Sequence, residues 1–225
     1  MNVCELGLSF VMKQLMRLSL KKWAWALLVL PLTGFLLQAC APKHQSEDDC
    51  GFVQNVYGER ISWKTNDTIP LYLHESFPDA MIPALQEAID SWSNVMGHAA
   101  FQLVTGYRVP GAAIPKQDGM NVIYWMTSWE ADKSSEQART SIYWVEDQIH
   151  EADMRINAKN FTFYLDSPIS GKDVHLESLL IHELGHVLGL KHKDSDGSVM
   201  ATYLSSKTVR DHIGDADTAD IRCEY

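Results

Sequence analysis

Eleven consecutive residues, 182–192, read H-E-L-G-H-V-L-G-L-K-H. Imidazole is a common metal ligand, and on a helix His182 and His186, four apart, lie on one face one turn apart. Two imidazoles so placed can grip one ion. Glu183 follows the first histidine and is available as a general base for the water that such an ion activates, rather than as a ligand. His192 is a different case. Six further helical residues would carry it about 240° around the axis from His186, to the far side. It can reach the same ion only if the helix stops and the chain turns back. Gly189 stands where that stop is needed, because glycine tolerates the positive φ that ends helices. The spacing therefore predicts a helix ending near Gly189, a turn, and three imidazole nitrogens around one ion. Three protein ligands leave a fourth position for water, the composition of a catalytic zinc rather than of a closed structural one.

These residues need a scaffold. A helix over about 174–188 would carry the first two histidines, with Asp173 placed to cap it and Leu176, Leu179, Leu180, Leu184, Val187 and Leu188 on its apolar side. Upstream, an apolar strand pattern at 69–73 follows 61–64 and a turn at Asn66-Asp67. After Asp79, Met81, Ile82, Leu85, Ala88, Ile89, Trp92, Val95 and Met96 recur at three and four, which predicts a helix stopping at Gly97. Segments 101–104, 121–126 and 161–165 read as strands, the second of them buried. Segments 141–145 and 152–157 alternate apolar with polar and read as half-exposed strands. The tail from Asp217 suits a short last helix. The pattern is α+β in one domain, 59–225, with the tryptophans in its core and no internal repeat.

The chain has 225 residues, 46% hydrophobic and 21% charged, which excludes a disordered or collagen-like chain. With 19 basic against 29 acidic residues it carries −10 and lacks the basic footprint of a nucleic-acid binder. Lys13, Arg17, Lys21 and Lys22 precede the apolar run WAWALLVLPLTGFLLQA, 23–39. That order is a secretory signal. It ends Leu37-Gln38-Ala39-Cys40, which resembles the lipobox of bacterial lipoproteins. The resemblance implies a lipoprotein signal peptide at 1–39, cleavage before Cys40, and lipid on its thiol. An uncleaved anchor and a plain cleaved signal are the alternatives. A start at Met12 or Met16 would bring the signal to ordinary length. Segment 40–58 is polar and acidic and reads as a tether. The acidic body is not drawn to anionic headgroups, so membrane attachment would come from the lipid. Of the four cysteines, acylation of Cys40 leaves Cys50 and Cys223 as a pair in an exported chain. They read as one disulfide, with two free thiols as the alternative.

H-E-x-x-H-x-x-G-x-x-H is the zinc signature of the metzincin metalloproteases. That clan carries a methionine turn after the third histidine, and Gly197-Ser198-Val199-Met200 fits it. The surroundings resemble the matrixin branch in its bacterial members. Asp173-Val174-His175-Leu176-Glu177 resembles the entry into the zinc helix, and Glu151 to Asn157 resembles the strand that borders the cleft. The likeness runs over about residues 60–225 and is specific at 182–200. Lys193 departs from it, since animal matrixins carry Ser or Thr there. Cys50 lies in D-C-G-F, which is not the animal cysteine-switch propeptide.

The resemblance implies a metzincin-like catalytic domain with a mixed, mostly parallel twisted sheet, an antiparallel edge strand, a long zinc-site helix, and a small C-terminal part with the methionine turn and final helix. It implies a zinc metalloendopeptidase with one catalytic Zn2+ on His182, His186 and His192, and with Glu183 moving the proton. Met200 would be a packing floor under the ion. An extended peptide substrate would lie on the edge strand, assigned to Ala152, Asp153, Met154, Arg155, Ile156 and Asn157, with the residues after Met200 lining the specificity pocket. Tyr203, three past Met200, is either a transition-state donor or a packed wall residue. Asp194 and Asp196 either hold their loop by side-chain-to-backbone bonds or bind Ca2+. His44, His74, His98, His150, His175 and His212 are scattered and read as solvated or core histidines. The expected protein is a monomer, exported and lipid-anchored in a bacterial cell envelope. A non-catalytic zinc-binding lipoprotein using the cleft to hold a partner is the alternative, and a hydrolase of cell-wall peptides a third reading.

Overall fold

The computed structural model describes residues 46–168 and 170–225. The signal segment, Met12, Met16, Cys40 and His44 lie outside the described residues. The strands are β1 (Ile69–His74), β2 (Phe101–Val109), β3 (Val122–Met126), β4 (Ala138–Val145), β5 (Gln148–Asn157), β6 (Phe163–Tyr164) and β7 (Val174–His175). The helices are α1 (Ile82–Met96), α2 (Leu176–Val187) and α3 (Asp215–Arg222).

Five strands form one sheet in the order β2-β1-β3-β5-β4. All neighbours are parallel except β4, which runs antiparallel to β5 at the edge. Period-two alternation sorts the side chains. Leu71, Leu73, Ile123, Met154 and Ile156 join the main core with α1 and α2, whereas Val122, Tyr124 and Met126 form a second cluster with Tyr72, Met120 and Trp129. The architecture is the expected α+β domain with a mostly parallel sheet and an antiparallel edge strand.

Helix α1 begins at Ile82 with Pro83 in its first turn, where a missing N–H costs nothing. It ends at Gly97 in the left-handed conformation, φ 75°, as expected. Asp79 sits in a 3-10 turn before it and pairs with Arg108 instead of capping. Asp173 does not cap α2 either. It accepts hydrogen bonds from Thr162 Oγ1 at 2.5 Å and from Ser170 N at 2.7 Å, because Val174 and His175 are taken up by the β6–β7 pairing and α2 starts only at Leu176.

Three further expectations are corrected. Residues 152–157 are not the edge strand: β5 lies between β3 and β4, and of these six residues only Arg155 is not fully buried. Its alternation arises because Asp153 and Asn157 accept and donate hydrogen bonds to loops covering the second face, so polarity there does not mean exposure. The segment 46–58 does not trail away as a tether. Phe52 is fully buried and bridges Leu190, and Gln54 bridges Arg60. The tryptophans are not all core: Trp92 is buried, but Trp144 is 45% exposed at the end of β4 and Trp129 lies under Arg155.

Candidate metal centre

Helix α2 is almost wholly buried, so its packing fixes where its histidines sit. Trp92 of α1 donates its indole N–H to Ile181 O at 2.9 Å. Gly185 allows the close approach of the methionine turn: a Cβ there would lie 2.3 Å from Met200 Sδ and 3.1 Å from Trp92 Cζ2. Met200, 1% exposed, therefore rests against the helix between His182 and His186 in sequence.

The helix ends at Val187 and Gly189 takes φ 101°. A side chain there is barred twice, by that φ and by Ile61 O, which would lie 2.3 Å from its Cβ. Carbonyls at a helix end lack intrahelical partners, and here distant parts of the chain supply them. Val187 O accepts from Trp63 Nε1 at 2.8 Å, Leu188 O from the Tyr225 hydroxyl at 2.7 Å, and Gly189 O from Val53 N at 2.9 Å. Lys191 N donates to Gly51 O at 2.8 Å. The strap carrying Gly51 to Val53 is pinned by the Cys50–Cys223 disulfide, with Cα atoms 6.2 Å apart, and by the Asp49–Lys191 ion pair. The chain thus doubles back and His192 returns to the helix face.

The three imidazoles meet. His186 Nε2 lies 3.0 Å from His182 Nε2 and 3.2 Å from His192 Nε2, and the three candidate ligand atoms all lie within 4.8 Å of one another. His182 Nδ1–H donates to Val199 O at 2.7 Å, and His186 Nδ1–H to Leu190 O at 2.8 Å. A carbonyl can only accept, so both Nε2 atoms present lone pairs to the centre. Burial pushes the His182 ring down to about 3, with His186 adding to the effect, and it lowers His186 and His192 as well. The His182 and His186 rings, neutral and with their lone pairs facing each other at 3.0 Å, repel one another unless a cation lies between them. Tetrahedral zinc with Zn–N of about 2.0–2.1 Å would hold nitrogens about 3.3–3.4 Å apart. The donor set fits that ion: three neutral imidazoles, two of them oriented by backbone carbonyls.

The methionine turn is held from α3. Asp217, fully buried, accepts from Ser198 Oγ at 2.5 Å and from Val199 N at 2.9 Å, and Val199 O in turn orients His182. Asp194 accepts from Thr202 N at 2.9 Å, which is the loop-holding alternative for that residue. Asp196 is exposed.

Glu183 is buried beside the imidazoles. Burial pushes its carboxyl up to about 7, against the Thr140 hydroxyl and His192, which pull it down. Thr140 Oγ1 donates to Glu183 Oε2 at 2.6 Å. A cavity of about 450 Å³ opens here, lined by Glu183, the three histidines, Thr140 and the segment 201–204. Tyr203 lines it but is 69% exposed, so it is not a packed wall residue. Strand β4 borders the cavity; of the six residues assigned to the cleft edge at 152–157, none lines it.

Of the other histidines, His74 and His175 are buried and hydrogen-bonded, while His150 and His212 are exposed. Sequence reasoning missed Trp63, Val53, Tyr225, Asp217 and Thr140. None carries a local signal, since each acts on partners 18 or more positions away.

The matrixin family model matches residues 62–225, which include every strand and helix named above. No curated protein matches the chain.

Proposed function

The chain belongs to the matrixin family of zinc metallopeptidases, and on that premise we propose that it is an exported endopeptidase, lipid-anchored at Cys40, in which His182, His186 and His192 hold the zinc and Glu183 is the general base. The observation that carries the reading is the convergence of three neutral Nε2 atoms, two with their tautomer set by Val199 O and Leu190 O. When bound there, zinc would lower the pKa of coordinated water toward neutrality and polarise the scissile carbonyl.

The chain's own residues do the rest. Glu183, next in sequence to the first ligand and lining the same cavity, takes the proton of the attacking water and passes it to the leaving amine. The free edge of β4 takes an extended peptide by strand addition. This replaces 152–157 as the substrate strand. The wall at 201–204 shapes the cavity that receives a substrate side chain. The order of basic run, apolar stretch and Leu37-Gln38-Ala39-Cys40 supports export and lipid attachment. Incorporation of a labelled fatty acid, lost in Cys40→Ser, checks that part.

Metal content of the purified full-length protein, with cleavage of a quenched peptide library in the presence and absence of chelator, tests the whole. About one zinc per chain with chelator-sensitive cleavage is expected. Glu183→Ala should abolish cleavage and keep the zinc. Zinc without cleavage in the parent protein would favour the non-catalytic binding protein instead, and activity in Glu183→Ala would remove Glu183 as the base.

A further inference from the structure

Strand β4 ends the sheet, and its register shows which of its backbone groups face the cleft. Asn157 N donates to Gln137 O at 2.9 Å, so Gln137 turns its backbone toward β5. In an antiparallel pair this orientation alternates residue by residue. Arg139, opposite Arg155, and Ser141, opposite Asp153, therefore share it. Ala138, Thr140 and Ile142 turn their N–H and C=O groups the other way, toward the open edge. All three line the cavity that holds the three imidazoles. The middle rung offered to an incoming strand is thus Thr140.

The side chain of the same residue goes elsewhere. Its hydroxyl donates to Glu183 Oε2 at 2.6 Å and lies 3.4 Å from Glu183 O. A carboxylate at the end of a glutamate side chain turns broadly about its last torsion. A hydroxyl anchored on a paired strand removes that freedom, holding Oε2 and leaving Oε1 for the reacting water. A bond to an ionised acceptor is also among the stronger ones available. Helix α2 supplies Glu183 and β4 supplies Thr140, so one bond ties the helix of the base to the strand of the substrate.

We propose that Thr140 is the positioning residue of this site: its main chain registers the substrate, while its hydroxyl fixes the orientation of the Glu183 carboxylate, so that docking and proton transfer share one residue. The inference rests on Glu183 being the base. It makes the two functions of Thr140 separable, because a side-chain substitution deletes the hydroxyl and keeps the backbone rung.

The test compares Thr140→Val and Thr140→Ser with the parent and with Glu183→Gln, using a quenched peptide and zinc affinity by competition with a chelating dye. Thr140→Val should lower kcat about tenfold to a hundredfold, the scale of one hydrogen bond to a charged group. KM should stay within about twofold and zinc affinity should not move, since neither the rung nor the ligands change. Thr140→Ser, which restores the donor, should return kcat to within about threefold of the parent. The proposal falls if Thr140→Val keeps parental kcat, if Thr140→Ser is as slow as Thr140→Val, or if the loss appears in KM alone. Should Thr140→Val fail to fold, Thr140→Ala carries the same comparison against Thr140→Ser. Glu183→Gln separates the two readings: if it remains active the base assignment fails and the proposal with it, whereas an inactive Glu183→Gln beside a fully active Thr140→Val overturns the role of Thr140 alone.

Discussion

Replacing Gly189 by alanine should damage the metal centre without touching a ligand. Two costs add. At φ 101° an L-residue sits outside its ordinary wells, which costs about 1–3 kcal/mol. The new Cβ would also lie 2.3 Å from Ile61 O, a backbone atom in a segment anchored by its own bond to Val53 O, so one strand or the other must move. Overpacking of that kind costs about 1–3 kcal/mol more. The sum, about 2–6 kcal/mol, corresponds to a fall in Tm of roughly 4–24 °C for a domain of this size. The movement falls on the turn that returns His192, so zinc affinity should fall together with Tm. Gly197→Ala is the internal control. Gly197 has φ 80° but open space around its Cβ position, so it incurs the backbone cost alone. The assay is thermal unfolding of both variants with and without chelator, paired with zinc competition. If Gly189→Ala is no worse than Gly197→Ala, or keeps parental zinc affinity, then the close approach to Ile61 is not what sets the turn.

Two further outcomes follow from buried carboxylates. Asp217→Ala leaves the Ser198 hydroxyl and the Val199 N–H buried with their acceptor gone, so a loss of about 3–5 kcal/mol in an unfolding titration and weaker zinc binding are expected; parental zinc affinity would show that Val199 O orients His182 without help from α3. Burial raises the Asp153 carboxyl to about 7 in the folded protein, opposed by its bonds from Val122 N and Lys116 N and reinforced by Glu151. Between the unfolded value, about 4, and about 7, the folded state keeps a proton the unfolded state has released, so this group makes stability fall as pH rises across that window. Urea midpoints measured from pH 4 to 8 in the parent and in Asp153→Asn should show that slope in the first and a flatter one in the second; identical slopes would place the proton elsewhere.

The parts of this fold that were legible in the sequence are those specified by near neighbours. The periodicity from Met81 to Met96 marks α1, and Gly97 marks its end. The spacing of His182, His186, Gly189 and His192 marks the turn, because helical geometry leaves the third imidazole no other route back. What misled was polarity read as exposure. Asp153 and Asn157 alternate with apolar neighbours as a solvent-facing strand would, yet both are buried, since loops bring N–H and C=O partners to them. An interior strand carrying satisfied polar groups and an edge strand are indistinguishable by period alone. The error moved the cleft edge by one strand, from β5 to β4, and with it hid Thr140. The same holds for Asp173. Its capping position was a local inference, and a two-residue strand pairing 11 positions away from Phe163 displaced it.

The turn that bears His192 is assembled from both ends of the domain. Its carbonyls are taken by Val53 from the N-terminal strap, Trp63 from the segment before β1, and Tyr225 from the last residue, while the disulfide joins strap to tail. None of these groups is near the histidines in sequence, so the third ligand is in place only when the chain has closed on itself. Helix α2 alone could present His182 and His186, because four residues of helix suffice. Completing the triad requires the global fold. Metal affinity here therefore contains the free energy of closing the domain, and an ion bound at the centre returns that energy as stability to residues far from it. This explains why the signature is compact in sequence while its support is spread from residue 51 to residue 225.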